Sequence, residues 1–237
     1  MEESSILSEP DYTGHRRRMK DKYRSSGLDT WLDYEVLEFI LTFSVPRRDT
    51  KPIAKKLIQR YQRLGRVFEV SIPELQALGL TEQSAILLHL MRDLAIRYTR
   101  EALIDGDGLS SPQLVVQYLT AELKGRSNEA FMVIYLNNQN RVIHSADRNG
   151  IRILQEGTIN QSVVFPRRIV EEALKLHAAS IILAHNHPAG SLSPSPEDLK
   201  VTHTIRQALQ TVEIRLLDHI IIGGSHYYSF RENGIEL

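Results

Sequence analysis

Two different spacings of apolar residues divide this chain. From residue 11 to residue 100 they recur at helical intervals. "DYEVLEFILTF" places Val36, Leu37, Phe39, Ile40, Leu41 and Phe43 within three turns. "TKPIAKKLIQRYQRLGRVFEV" aligns Ile53, Leu57, Ile58 and Tyr61 on one face and cations on the other. Thr50 stands where an N-cap belongs, with Pro52 in the first turn. "SIPELQALGL" predicts a short helix, and "TEQSAILLHLMRDLAIRYTR" a long one capped by Thr81. Residues 11–100 are therefore expected to form a small helical bundle.

The stretch "EALIDGDGLSSPQ" holds two Asp-Gly pairs and breaks the periodicity, so a linker is placed at 101–111. From residue 112 to 237 helical and extended patterns alternate. "QLVVQYLTAEL", "PRRIVEEALKLH" and "SPEDLKVTHTIRQALQ" predict helices. "AFMVIYL", "VIHSADR", "RILQEGTIN", "ASIILAHNH", "IRLLDHIIIG" and "HYYSF" predict strands or extended pieces. Strands mixed with helices imply a mixed sheet with helices packed on it, an α/β or α+β domain.

Composition narrows the chemistry. The 42% apolar and 24% charged content is that of an ordinary soluble protein. No apolar run is long enough to span a bilayer. The acidic start "MEESSILSEPD" lacks the layout of a signal peptide, so a cytoplasmic location is the expectation. The absence of cysteine excludes disulfides, thiolate zinc sites, iron–sulfur clusters and cysteine nucleophiles. Net charge is zero, yet the segment from His15 to Arg66 carries 14 Lys and Arg against 6 Asp and Glu. That excess makes the N-terminal half a candidate surface for DNA phosphates, although cations also coat ordinary helix faces.

The densest chemistry lies in "AHNHPAGSLSPSPEDL". His185 and His187 are two apart at the end of an expected strand, so both imidazoles point to one face. Asp198 follows in the first turn of the next helix, where its carboxylate can fold back. Two histidines and one carboxylate, with a position left for water, compose a catalytic zinc site rather than a closed structural one. Ser195 and Asp198 also fit a capping box with Pro196 behind the cap, which is a structural reading of the same residues. A water on such a metal needs a base, for which Glu129, Glu156, Glu171 and Glu172 are candidates. Spacing does not choose among them. His144, His177, His203, His219 and His226 have no partner at useful spacing and are read as structural.

"HNHPAGSLSPSPED" fits H-x-H-x7-S-x2-D, and in this it resembles the JAMM (MPN+) zinc metalloproteases. The chain is most similar to one branch of them, the bacterial RadC proteins, in "DYEVLEFILTFSVPRRDTKPIAKKL", "VFPRRIVEEALKLHAASIILAHNHPAG" and "IRLLDHIIIG". The resemblance implies a JAMM fold, similar to cytidine deaminases, from about residue 112 onward. It implies Zn2+ on His185, His187 and Asp198, with Glu129 as general base and then acid. Ser195 would hydrogen-bond the reacting water or the oxyanion. The implied reaction is hydrolysis of an amide or isopeptide bond in a peptide or protein substrate. The family's name also implies a link to DNA repair, with a structural or nuclease-like metal as the alternative. Its N-terminal half resembles helix-hairpin-helix modules, but Thr81 replaces the hairpin's second glycine and reads instead as a cap. Deaminase chemistry lacks its cysteine ligands here. The letters "HNH" do not have the spacing of HNH nucleases.

Overall fold

The computed structural model describes residues 11–106, 112–156 and 166–237. Contacts divide the chain into two units, residues 1–94 and 95–237. No helix among the described residues is long and apolar enough to cross a membrane.

The first unit is built from α1 (Asp11–Ser26), α2 (Asp33–Thr42), α3 (Lys51–Tyr61), α4 (Leu64–Val67), α5 (Ile72–Ala77) and the start of α6 (Glu82–Asp105). The stripes read from the sequence meet in one core. Leu37, Leu41, Ala54, Leu57, Leu75, Ala85 and Leu88 are fully buried there, with Ile53, Ile58 and Tyr61 packed against them. Ser71 caps α5 by accepting from Glu74 N, and Thr81 Oγ1 accepts from Ser84 N at 3.2 Å at the head of α6. Thr50 departs from expectation. It has helical backbone angles and makes no cap bond. Its hydroxyl donates instead to the Glu38 carbonyl at 3.2 Å, because the residue is buried against α2.

Helix α6 continues to Asp105, so residues 101–105 of the expected linker are helical. The reason is packing: Leu103 is buried in the core of the second unit, with Ile96 and Ile104 beside it. Residues 107–111 of that linker lie outside the described residues.

The second unit carries a mixed five-stranded sheet in the order β2-β1-β3-β4-β5. These are β1 (Ala130–Leu136), β2 (Ile151–Glu156), β3 (Ser180–Asn186), β4 (Arg215–Gly223) and β5 (His226–Ser229). β1 runs antiparallel to β2 and β3, β3 and β4 are parallel, and β5 closes antiparallel to β4. β1 and β3 are buried along their whole length, as continuous apolar runs require. One face packs on α7 (Pro112–Leu123) through Val115, Tyr118, Leu119 and Leu123. The other packs on α8 (Pro166–Leu176) and α9 (Pro196–Gln210) through Ile169, Ala173, Ile205 and Leu209.

The segment "VIHSADR" is not a strand. Residues 142–148 make only isolated bridges, Leu136 with Val142 and His144 with Asn149. Ser145 and Arg148 close a turn on each other, and Ser145 Oγ donates to Asp147 at 2.7 Å. Local polar bonds outcompete a ladder there. β2 begins at Ile151, and the expected continuation through 157–160 lies outside the described residues.

An extra residue in β4 decides which way His219 points. Ile181 pairs with Leu216 but Ile182 pairs with Asp218, leaving Leu217 unmatched. The resulting bulge reverses the alternation. Leu216 faces the α8/α9 side, Ile220 and Ile222 face the α7 side, and His219 returns to the α8/α9 side opposite Leu183.

Candidate metal centre

The centre forms at the carboxyl end of β3, where the chain leaves the sheet and crosses over through α9 to the parallel strand β4. Open crossovers of this kind place ligands at strand ends. β3 and β1 partner Phe131 with His185, so these side chains share the α8/α9 face. His187 follows by two residues and keeps that face, anchored by its backbone N–H on the Ile222 carbonyl at 2.9 Å.

Ser195 begins α9 as its N-cap. Its Oγ accepts from Asp198 N at 3.1 Å and donates to Asp198 Oδ2 at 2.7 Å, and Ser195 N also donates to that oxygen at 2.8 Å. The cap therefore holds the Asp198 carboxylate against the helix start. The buried stripe of α9 reads Asp198, Thr202, Ile205, Leu209, so its upper turn is polar where its lower turns are apolar.

His185, His187 and Asp198 converge. His185 Nε2 lies 3.0 Å from His187 Nε2 and 3.2 Å from Asp198 Oδ1. His187 Nε2 lies 3.3 Å from Asp198 Oδ2. All three residues offer ligand atoms within 4.8 Å of one another. Ligands about 2.0–2.1 Å from a tetrahedral metal are separated by about 3.3 Å. The donor atoms thus already stand close to the edges of such a tetrahedron, and the set fits a divalent ion.

The electrostatics agree. Burial alone would push the Asp198 carboxyl up, but its contacts with both imidazoles and Ser195 outweigh that and hold it far below the usual carboxylate range. The Asp198 contact raises His187 above the ordinary histidine value against burial, with the Ser191 carbonyl and the Glu129 charge adding to the rise. His187 Nδ1 donates to that carbonyl at 3.0 Å. Gly223 permits this arrangement: a Cβ there would meet Gly190 O at 2.8 Å and Ser191 O at 3.0 Å.

Glu129 sits immediately before β1. Its alternation matches Phe131, and continuing the β1–β3 register by two residues sets it opposite His187. Asn186 clamps the backbone on both sides of it: Ala130 N donates to Asn186 Oδ1 at 2.8 Å, and Asn186 Nδ2 donates to Asn128 O at 3.2 Å. Of the other candidate bases, Glu171 pairs with Arg167 at 2.8 Å and Glu172 with Lys175 at 3.1 Å on the surface of α8. The side chain of Glu156 lies outside the described residues.

One histidine read as structural belongs to this centre. His219 is fully buried, and its Nε2 lies 2.9 Å from His185 Nδ1. Burial and the neighbouring His185 charge hold it well below the ordinary histidine value. Thr202 Oγ1 lies 2.6 Å from its other ring nitrogen. A sequence signal exists for Thr202, a polar residue on the core stripe of an amphipathic helix. His219 has none, because the bulge sets its direction.

Comparison with known proteins finds relatives over most of this chain. Residues 109–235 match the RadC-like JAB domain. A UPF0758 protein of Fusobacterium nucleatum is 38% identical over 237 residues, covering 97% of this chain and all of the relative. A UPF0758 protein of Pseudoalteromonas translucida is 37% identical over 220 residues, covering 92% of this chain and 96% of the relative. With His185, His187 and Asp198 gathered inside the matched region, the chain belongs to the RadC family and carries a C-terminal JAB/MPN domain.

Proposed function

We propose that this protein is a zinc-dependent hydrolase of peptide or isopeptide bonds. The observation that carries the reading is the convergence of two histidines and one carboxylate, with Glu129 just before β1 where the continued register brings it opposite His187. His185, His187 and Asp198 would hold the ion, leaving room for a fourth, non-protein ligand. A bound zinc ion would supply Lewis acidity, making water acidic enough to lose a proton near neutral pH. Glu129 would serve as general base and then as general acid toward the leaving amine, its backbone clamped on both sides by Asn186. Ser195, at the positive end of α9, would donate toward the oxyanion once its hydroxyl is released from Asp198.

Metal analysis of wild type beside His187→Ala and Glu129→Gln tests the reading, together with hydrolysis of a panel of peptides and isopeptide-linked conjugates. Zinc is expected at one per chain in wild type and Glu129→Gln, and absent from His187→Ala. Cleavage is expected only in wild type. Stoichiometric zinc in His187→Ala would refute the ligand assignment.

A second reading concerns the N-terminal unit. Arg17, Arg18, Lys20 and Arg24 are exposed on α1, which supports contact with DNA phosphates beside the hydrolase role. Salt-dependent binding of duplex DNA should weaken in a full-length Arg17→Glu, Arg18→Glu, Lys20→Glu variant. Equal binding by that variant, or none by wild type at low salt, counts against it.

A further inference from the structure

Behind the ligand set, Thr202 and His219 form a row of hydrogen bonds whose directions can be worked out atom by atom. Thr202 Oγ1 donates to the Asp198 backbone carbonyl at 2.5 Å. Its only proton is then used, so at 2.6 Å the same oxygen accepts from His219 Nδ1–H. His219 is fully buried, and among the described residues no carboxylate oxygen lies within ion-pair distance of its ring. A neutral imidazole is the form such a site accommodates. With the proton on Nδ1, His219 Nε2 is an acceptor, and it faces His185 Nδ1 at 2.9 Å. His185 Nδ1–H therefore donates, and Nε2 is the ring atom turned toward the other ligands. That Nε2 is the atom 3.0 Å from His187 Nε2 and 3.2 Å from Asp198 Oδ1. The row takes its directions from a backbone carbonyl that can only accept and from a fully buried, neutral His219.

We propose that His219 and Thr202 are positioning residues of the metal centre, holding His185 in the tautomer and orientation that present Nε2 to the ion. The inference rests on the metal-binding reading above. His187 has its own support in the Ser191 carbonyl, so the two ligand histidines are oriented by separate elements. Aromatic neighbours fix the row sideways: Phe230 stacks on His219 at 4.7 Å between centroids, and Phe131 on His185 at 6.2 Å. Outer-sphere partners of this kind typically change metal affinity by about 10- to 100-fold.

The test compares full-length wild type, Thr202→Val, His219→Phe and His219→Gln. Thr202→Val keeps the side-chain shape and removes the hydroxyl. His219→Phe removes the acceptor, and His219→Gln restores one. Zinc affinity, measured by competition with a chromogenic chelator, is expected to fall about 10- to 100-fold in Thr202→Val and His219→Phe. His219→Gln should recover most of the loss, which a purely space-filling role would not produce. Should His219→Phe fail to fold, Thr202→Val decides the point. In metal-free protein, 15N-detected imidazole correlations should show His185 protonated on Nδ1 in wild type and lose that pattern in Thr202→Val. Unchanged zinc affinity in Thr202→Val, or no proton on His185 Nδ1 in wild type, overturns the inference. Wild type that takes up no zinc overturns the hydrolase reading instead, and the imidazole spectrum still decides this one.

Discussion

Gly223→Ala is a single-methyl test of how the centre is supported. Gly223 ends β4 with an ordinary backbone angle, since it is not among the positive-φ glycines, so alanine meets no conformational penalty there. The penalty is steric. The new Cβ would lie 2.8 Å from Gly190 O and Leu192 Cδ2 and 3.0 Å from Ser191 O, whereas ordinary contact begins near 3.4 Å. Leu192 can rotate away, but the two carbonyls belong to the backbone that follows His187. They must move by about 0.4–0.6 Å, and overpacking of this kind costs about 1–3 kcal/mol. Ser191 O is also the acceptor for His187 Nδ1 at 3.0 Å, so a shift of that size spoils the bond that aims the ring. Loss of such support lowers metal affinity by about 10- to 100-fold, or about 1.4–2.7 kcal/mol. Gly224→Ala is the control. Gly224 has φ +61° and nothing within 4 Å of the added carbon, so alanine there costs about 1–2 kcal/mol of backbone strain without touching the loop. Both variants should melt earlier, and only Gly223→Ala should bind zinc more weakly in a chelator competition assay. Equal zinc affinity in the two variants would refute the link between Gly223 and His187.

Ser195→Ala removes the cap bond from Asp198 N and the hydroxyl's bond to Asp198 Oδ2, and should destabilise the domain by about 0.5–2 kcal/mol in denaturant titrations while weakening zinc binding. Asn186→Ala strands the Ala130 N–H in a buried position, so a loss of about 1–3 kcal/mol is expected with zinc stoichiometry retained. Zinc lost from that variant would mean that the clamp serves the ligands rather than Glu129. Because the metal-free His187 titrates above its ordinary value, protons compete with the ion, and apparent zinc affinity should fall about tenfold per unit as pH drops below that raised value. The sign reverses for the metal-free fold. His187 stabilises it fully below the unfolded histidine value, and that contribution fades as pH rises through the raised one, which melting curves across pH 5–9 would register. A flat zinc affinity over the same range would remove the proton competition.

How much of the site was readable before folding depends on distance along the chain. His185, His187, Ser195 and Asp198 fall within fourteen residues, and local rules place them: strand alternation for the histidines, a helix cap for the other two. Glu129 is legible as a candidate from the family motif, but only the β1–β3 register sets it opposite His187. His219 was out of reach, because strand alternation counted through an undetected bulge assigns it to the wrong face. The segment from Val142 to Arg148 has a strand's apolar start, yet its Ser, Asp and Arg bond among themselves. Thr50 has a cap's identity and a core residue's burial, and burial prevailed.

The row from the Asp198 carbonyl through Thr202 and His219 to His185 ends opposite the same Asp198's carboxylate. It is a ring whose last link is the 3.2 Å contact between His185 and Asp198, and an ion between the two would close it more firmly. Closing a ring ties the first turn of α9 to β3 and β4 at once, so binding energy at the centre becomes resistance to local opening of that turn. Backbone amides from Asp198 to Thr202 should then exchange with solvent more slowly as zinc is added, with a dependence on free zinc that amides at the far end of α9 do not share. The start of this helix would thereby report the ion's presence, readable without any substrate in hand.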